Sequence, residues 1–329
     1  MSEPSLSATS YQLSVIETKL AAEIAQLLDE KKVDVFFGFK KAESPLHPQP
    51  AFFTDSSQLT DMVYNGLCQN NLATFIPRYP LGTRIGMVVR GCENRSVNHL
   101  IVEKQHAREN VYMVGIPCAG LVDWHKVVDA FGEEMTAVTE TDNEVVINFR
   151  DRQVLTHREQ LLHDSCLRCV HPNPLTADIT IGEPKPEGDP SIARQAVEQF
   201  SSLYNSEKLA WFRKEAERCI RCYACREACP MCYCTECFVD HTEPRWTEST
   251  VSPAGMQAWH IVRAFHQSGR CVSCGACERA CPMDIKMTYL TDKLNEDMLA
   301  KYQFECGMDD TTQPPFAAFN LDDKKRFTL

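Results

Sequence analysis

Two stretches of the sequence carry the same spacing of cysteines: Cys219-Ile-Arg-Cys222-Tyr-Ala-Cys225-Arg-Glu-Ala-Cys229-Pro230, and Cys271-Val-Ser-Cys274-Gly-Ala-Cys277-Glu-Arg-Ala-Cys281-Pro282. Both follow the pattern C-x2-C-x2-C-x3-C-P, which lets three thiolates of one loop wrap around a single iron–sulfur cubane. In this pattern the fourth cysteine, which precedes the proline, ligates the cubane of the other motif. The duplication therefore predicts two [4Fe–4S] sites in one loop-rich unit.

The crossed arrangement of the bacterial two-cluster ferredoxins assigns the ligands of each site. The first cluster is predicted to take Cys219, Cys222, Cys225 and Cys281, and the second is predicted to take Cys271, Cys274, Cys277 and Cys229. Structural zinc is the alternative. Zinc sites usually pair two CxxC knuckles, however, and do not need a third cysteine and a following proline. The motifs therefore indicate an iron–sulfur electron carrier.

Composition and charge narrow the class of protein further. A chain of 329 residues with 43% hydrophobic content can bury one sizeable core and a small second domain. The formal net charge of -11 and the lack of a basic run argue against a nucleic-acid partner. No apolar stretch approaches the roughly 20 residues of a membrane span, and the first eleven residues do not resemble a signal peptide. Because the 17 cysteines cluster at metal-ligand spacings, we expect reduced thiols and a cytoplasmic location.

Before residue 182, helical and strand-like patterns alternate, which predicts an α/β domain with a mostly parallel sheet. The apolar spacing predicts helices at residues 15–31, 94–106 and 124–131, and strands at residues 33–39, 84–89 and 111–116. Residues 135–140 and 144–149 flank Thr141-Asp142-Asn143, and they predict an antiparallel hairpin at the edge of that sheet.

Composition changes sharply after this domain. The α/β domain is predicted to cover residues 1–182, and residues 183–191, rich in proline and acidic side chains, are predicted to be a linker. Residues 192–307 are predicted to form a mainly helical domain that carries both cysteine motifs, with helices near 192–204, 206–217 and 253–267. The remaining residues, 308–329, lack periodicity and are predicted to form an extended tail.

Four other cysteines lie in the α/β half. Cys92 and Cys118 each follow a predicted strand, and Cys166 and Cys169 form a CxxC pair. Because loops at the carboxyl ends of neighbouring parallel strands converge, these four thiols could form a third site. Buried apolar cysteines and an unrelated CxxC pair are the alternative.

Around these cysteines the sequence resembles a known family. The segments GMVVRGCENR (86–95), NVYMVGIPC (110–118), CLRC (166–169) and ADITIG (177–182) are similar to the β-subunit family of coenzyme F420-reducing hydrogenases and formate dehydrogenases. The resemblance implies a third [4Fe–4S] cluster at Cys92, Cys118, Cys166 and Cys169. It also implies FAD as a candidate cofactor and the other redox subunits of an oxidoreductase complex as partners. No segment is long enough for the usual C-terminal flavin region, and no G-x-G-x-x-G fingerprint supports NAD binding.

A further group of thiols follows the first motif directly. Cys232, Cys234 and Cys237 lie within six residues, and they predict either a further metal site or thiols that shape this insert. His241, Cys306 or a residue of a partner could complete such a site. Cys68 and Cys306 themselves are predicted to be small buried hydrophobic residues.

Three functions remain open at this point. The first is an electron-transfer subunit of a multi-subunit hydrogenase, formate dehydrogenase or heterodisulfide reductase-type complex. The second is a flavin-dependent reductase that acts on a deazaflavin or a disulfide-type substrate. The third is a scaffold in which clusters only staple a binding module. The motifs favour the first function, because the clusters then act as relays between partner subunits.

Overall fold

The computed structural model describes residues 8–132, 134–141, 143–248 and 250–317. The part before residue 182 alternates helices and strands, as the sequence predicted. Its helices are α1 (Ala8–Asp29), α2 (Gly91–Val102), α3 (Trp124–Phe131) and α4 (Asp164–Leu167). Its strands are β1 (Val35–Lys40), β2 (Gln49–Phe53), β3 (Ile85–Val89), β4 (Val111–Gly115), β5 (Met135–Glu140), β6 (Glu144–Phe149), β7 (Gln153–His157) and β8 (Ile179–Thr180).

The larger sheet is mixed, with the strand order β2-β1-β3-β4-β8. In the described chain, the β1–β3, β3–β4 and β4–β8 pairs are parallel, and the β1–β2 pair is antiparallel. The prediction of a mostly parallel sheet is thus confirmed only in part. The reason is the connection at residues 41–48, which is too short for the crossover that a parallel pair needs, so β2 returns beside β1 in the opposite direction.

The predicted hairpin forms, but it does not extend the main sheet. β5 and β6 pair antiparallel, and β7, which the sequence analysis did not identify, adds a third strand. This sheet packs on a separate apolar cluster that includes Val127, Val145 and Ile147. The placement of the hairpin at the edge of the main sheet was therefore wrong, because its buried face has its own core.

The main sheet is buried by helices on its faces. All five residues of β3 are buried, as expected for a strand covered on both sides. Leu20, Ile24 and Leu27 of α1 share one face of that helix and belong to the same core as the strands. This packing positions the first turn of α2, where Cys92 lies, and the loop after β4, where Cys118 lies.

The second half is helical, and each of its cysteine motifs consists of a loop and one short helix. Its helices are α5 (Pro190–Ser202), α6 (Asn205–Glu217), α7 (Ala224–Glu227), α8 (Pro253–His266), α9 (Ala276–Arg279) and α10 (Thr288–Tyr302). Ser252 caps α8 by accepting a hydrogen bond from the Gly255 N–H at 3.0 Å, and Pro253 occupies the first helical position. Across the part of the chain that the structure describes, no helix combines the length and apolar character of a membrane span.

Hydrogen bonds join the two halves of the chain. Arg95 of α2 donates to the carbonyl oxygen of Cys306 at 3.0 Å, and Asn98 donates to that of Gly307 at 2.9 Å. Residues 183–191, predicted to be a linker, are held against the preceding loop, since the Gly188 N–H donates to the Val170 carbonyl at 2.8 Å. Of the predicted tail, residues 308–317 form turns, and residues 318–329 lie outside the described residues.

Candidate metal centres

The structure brings together the four thiols predicted for the first cluster. Cys219, Cys222, Cys225 and Cys281 line one cavity, which we call the first-cluster cavity. Burial raises the pKa of Cys219, and the nearby thiol of Cys281 raises it further. Cys281 of the second motif thus lies beside the thiols of the first motif, and Cys277 lines the same cavity.

The reciprocal arrangement holds for the second predicted site. Burial raises the pKa of Cys271 to about 12, and Asp292, Cys274 and Cys229 add to the shift. Burial likewise raises the pKa of Cys277, with Cys229 and Cys274 among its neighbours. A thiol gives up its proton when it binds iron, so this group of neighbouring cysteines could hold a cluster once the metal is supplied.

The two motif loops share one backbone conformation. Arg221 and Tyr223 have φ values of 57° and 60°, and the equivalent Ser273 and Gly275 have values of 53° and 70°. The backbone N–H of Arg221 donates to the Cys219 sulfur at 3.4 Å, and that of Ser273 donates to the Cys271 sulfur at 3.4 Å. Such N–H···S bonds stabilise negative charge on the sulfur and tune the potential of a bound cluster.

The third predicted group lies at the carboxyl ends of β3 and β4. The Gly120 N–H donates to the Cys118 sulfur and the Leu121 N–H donates to the Cys166 sulfur, each at 3.3 Å. Burial raises the pKa of Cys169 to about 12, and Cys166 and Cys118 add to the shift. The structure therefore brings Cys118, Cys166 and Cys169 close together.

Cys92 occupies a different position from the other three thiols. It lies in the first turn of α2, where Glu93 accepts hydrogen bonds from the backbone and side chain of Arg90 at 3.0 and 2.8 Å. Burial raises the pKa of Cys92, and its neighbouring thiols are those of Cys274 and Cys169. Cys92 thus lies near Cys169 of the third group and also near Cys274 of the second motif. A single cluster held by all four thiols stays a prediction.

Close packing joins these two sites. Gly275, beside Cys274, lies against Ser165 so closely that a Cβ atom on Gly275 would overlap the Ser165 hydroxyl. Gly91, beside Cys92, has no room for a side chain because of the His171 carbonyl oxygen. The loops that carry the second and third groups of thiols therefore pack directly on each other.

The remaining predicted thiols, those of Cys232, Cys234 and Cys237, line a cavity of about 360 Å³ together with Cys229. We call it the Cys232 cavity. A hydrogen bond with Cys229 lowers the pKa of Cys232. His266 lines this cavity, whereas His241 and Cys306 do not, so completion of a site by either of these two stays a prediction. Among the described residues, no three His, Cys, Asp or Glu side chains are arranged to hold a single metal ion.

Cys68 and Cys306 are buried, as the sequence predicted. Burial raises the pKa of Cys68 to about 12. The sulfur of Cys306 donates to the Arg270 carbonyl at 3.1 Å, and neither thiol lies in the first-cluster cavity.

The sequence analysis missed Arg263, which lies on the buried face of α8 with Met256, Trp259 and His260. These positions form a stripe at helical spacing, and the signal was available, because arginine and histidine are unexpected on an apolar stripe. Arg263 lines both the first-cluster cavity and the Cys232 cavity.

A cleft of about 420 Å³ opens beside the third group of thiols. Cys118 lines it together with Tyr64, Arg90 and Arg158. The Tyr64 hydroxyl is buried and has no hydrogen-bond partner in the described structure. Clefts at the carboxyl ends of parallel strands commonly hold ligands in α/β folds.

Comparison with known proteins connects these features to one family. Residues 82–194 match the family model for the C terminus of the beta subunit of coenzyme F420 hydrogenase/dehydrogenase, and residues 215–285 match that of the 4Fe–4S dicluster domain. The first segment contains the third group of thiols, and the second contains both cysteine motifs.

Two relatives that align over most of their length are both named as β subunits of F420-dependent formate dehydrogenases. The chain is 24% identical over 350 residues to the β subunit of the F420-dependent formate dehydrogenase of Methanocaldococcus jannaschii, covering 88% of this chain and 91% of that protein. It is 24% identical over 354 residues to the β subunit of F420-dependent formate dehydrogenase 1 of Methanococcus maripaludis, covering 88% and 90%.

A solved complex, the xenon-derivatised F420-reducing [NiFe] hydrogenase of Methanosarcina barkeri, aligns with a TM-score of 0.42 and 12% identity over 56% of this chain and 76% of that chain. The family matches confirm the resemblance inferred from the sequence. The chain therefore contains one segment that matches the C terminus of the coenzyme F420 hydrogenase/dehydrogenase beta subunit and a second that matches the 4Fe–4S dicluster domain.

Proposed function

We propose that the chain is the iron–sulfur electron-transfer subunit of a multi-subunit oxidoreductase of the hydrogenase, formate dehydrogenase or heterodisulfide reductase type. The observation that supports this proposal most directly is the exchange of one cysteine between the two motif loops. Its partners would be the other redox subunits of the complex. Because cluster assembly requires reduced thiols, the proposed location is the cytoplasm.

The buried thiols and their surroundings fit the proposed clusters. When bound, a [4Fe–4S] cluster takes up and releases single electrons. Trp259, Ile285 and Met287 form apolar walls of the first-cluster cavity. The backbone N–H groups that point at Cys219 and Cys271 are fixed by the loop conformation, so they need not reorganise when charge on the sulfur changes.

The arrangement of the loops supports an order for the relay. The first and second sites share a boundary because their motifs exchange Cys229 and Cys281. The second and third sites adjoin where Gly275 packs against Ser165 and where Cys92 lies near Cys274. We therefore propose a path from the first site through the second to the third, which ends beside the cleft lined by Cys118.

Serine substitution of the exchanged cysteines tests the proposal. Cys281→Ser should alter the electron paramagnetic resonance signal of the cluster held by Cys219, Cys222 and Cys225, and Cys229→Ser should alter the other signal. Cys68→Ser is the matched control, because Cys68 is buried but lies outside every proposed site. If Cys281→Ser changes only the centre of its own motif, the two motifs bind independently and the ferredoxin arrangement is wrong.

The cleft beside Cys118 supports a second candidate, a flavin-dependent reductase that acts on a deazaflavin or a disulfide-type substrate. Its wall combines Ile16, Ile116 and Ile181 with the cations Lys19 and Arg90, a mixture that suits an organic cofactor. The measurement is the amount of FAD retained per chain after anaerobic purification and after incubation with FAD. One FAD per chain favours the reductase, and no retained FAD favours the relay alone.

The proposal also extends to Cys232, Cys234 and Cys237, which either bind a further metal or shape the insert. They line a cavity with Cys229, so a further metal bound there would lie next to the second cluster. We propose iron analysis of a variant with all three replaced by serine. If the variant holds less iron per chain than the unaltered protein while both dicluster signals remain, a further metal site is supported. If the iron content is unchanged, these thiols only shape the insert.

A further inference from the structure

Arg263 is buried in the middle of the dicluster region. The residue is only 6% exposed, and it lies on the inner face of α8 beside Trp259. One guanidinium nitrogen donates to the Cys225 carbonyl at 3.1 Å. The Nε–H has no hydrogen-bond acceptor within the described chain.

The other buried arginines show what is unusual here. Among the described residues, the buried arginines are Arg90, Arg95, Arg158 and Arg263. The first three each form an ion pair with a glutamate: Arg90 with Glu93 at 2.8 Å, Arg95 with Glu305 at 3.0 Å, and Arg158 with Glu140 at 2.6 Å. No carboxylate of the described residues forms an ion pair with Arg263.

An unpaired buried guanidinium is costly. Removing an ion from water costs several kcal/mol even after the protein relaxes, and arginine does not escape the cost by losing its proton. The groups that face Arg263 are the thiols of Cys277, Cys229, Cys232 and Cys225, and the Cys232 thiol is also a hydrogen-bond partner of the guanidinium. Protonated thiols cannot balance a positive charge, whereas a cluster together with its four thiolate ligands carries a net negative charge that can.

Those thiols belong to both predicted sites. Cys225 is assigned to the first cluster, and Cys277 and Cys229 are assigned to the second. His260, the neighbour of Arg263 on the buried face of α8, does not supply the missing negative charge, because a histidine side chain is either neutral or positive. The positive charge of Arg263 therefore faces two sites that would otherwise hold only negative charge.

We propose that Arg263 is a positioning residue whose fixed charge is shared by the two clusters of the dicluster region and stabilises their reduced forms. The inference rests on the proposed function. Reduction adds one electron to a cluster and breaks no bond, so the cluster becomes one charge more negative. A cation close to both clusters stabilises each reduced form by direct electrostatic attraction. The pair of clusters would then accept electrons at higher potentials than the same loops without Arg263.

The test is redox titration of Arg263→Met and Arg263→Lys, followed by electron paramagnetic resonance. Methionine keeps much of the length and removes the charge, so at a fixed potential we expect the ratio of reduced to oxidised cluster to fall about tenfold for both clusters, a shift of about 59 mV for one electron. Lysine keeps the charge and should restore most of the ratio. Arg226→Met is the matched control, because Arg226 lies beside Cys225 but is already paired with Asp240 at 2.9 Å.

The outcomes separate this inference from the proposed function. Fewer than about eight irons in the unaltered protein would overturn the proposed function. Full iron content with unchanged potentials in Arg263→Met would overturn the inference alone, and so would a shift in only one cluster. If Arg263→Met does not assemble clusters, the free energy of unfolding is measured for the cluster-free variant and for the unaltered cluster-free chain. This comparison decides between an electrostatic and a packing role for Arg263. We then expect this variant to be at least as stable as the unaltered cluster-free chain, whereas a lower stability would make Arg263 a packing residue.

Discussion

An ion pair between Glu103 and Arg270 joins the α/β half to the second cysteine motif. Glu103 follows α2, and Arg270 directly precedes Cys271. Two Arg270 nitrogens donate to the two Glu103 oxygens at 2.8 and 2.7 Å. The two side chains, of Arg270 and Glu103, are only 21% and 16% exposed, so water screens the pair weakly.

The pKa of Glu103 gives the size of the interaction. Burial would raise this pKa, but the neighbouring His99, Arg270 and Tyr233 side chains hold it at about 2. The difference from the ordinary carboxyl pKa corresponds to about 3 kcal/mol, shared among these neighbours. His99 lies 3.2 Å from Glu103 and shares this energy with Arg270 and Tyr233. We assign about 2 kcal/mol to the two hydrogen bonds from Arg270, within the usual range for charged hydrogen bonds.

A double-mutant cycle measures this energy. We expect Glu103→Gln and Arg270→Gln each to lower the free energy of unfolding, because each leaves the partner uncompensated, with a coupling energy of about 2 kcal/mol. The assay is anaerobic denaturant unfolding of protein with verified iron content. The exposed pair of Arg78 and Glu227, at 3.1 Å, is the control and should give a coupling of about 0–1 kcal/mol.

The pH dependence has a definite sign. The folded-state pKa of Glu103 is depressed, so its contribution is fully present above the ordinary carboxyl pKa, near 4.5, and is lost as the pH falls toward 2. The coupling energy should therefore be constant between pH 8 and pH 6. A coupling below about 0.5 kcal/mol at neutral pH would refute the reasoning, because the two halves would then be joined without this pair.

Three further predictions concern the clusters and their packing. Anaerobically prepared protein should contain at least about eight irons and eight sulfides per chain, and a value near four would remove the two-cluster assignment. Cys118→Ala and Cys166→Ala should each lose close to four irons while the dicluster signals remain, and unchanged iron in both would make these cysteines structural. Gly275→Ala should lower the free energy of unfolding by about 1–3 kcal/mol and disturb the second cluster, because the new Cβ meets Ser165 at a φ of 70°. Gly269→Ala is the control, because Gly269 has a φ of 72° but no neighbour closer than 3.7 Å, so this variant should show the backbone strain alone. If the cluster spectra of the two variants are equal, the packing argument is contradicted.

Local features of this protein could be predicted from the sequence because their causes are local. The strand at Val111–Gly115, the helix at Trp124–Phe131 and the hairpin of β5 and β6 follow from apolar spacing and turn residues that lie within a few positions of one another. The two motifs likewise encode their own loop conformation, and a known cluster chemistry requires their fourth cysteines to cross. Both the family and the dicluster assignment could therefore be inferred before the fold was known.

The tertiary structure alone decided which distant groups meet. The sequence does not show that Cys92 lies near Cys274, or that residues 41–48 reverse the direction of β2, because these results depend on how separate elements pack. Nor does it show that Arg263 lacks a carboxylate partner among the described residues. A helical stripe indicates that this side chain is buried, but the charges that surround it come from two loops that are distant in sequence. Pairing and electrostatics depend on distances in space, and only the packed chain determines those distances.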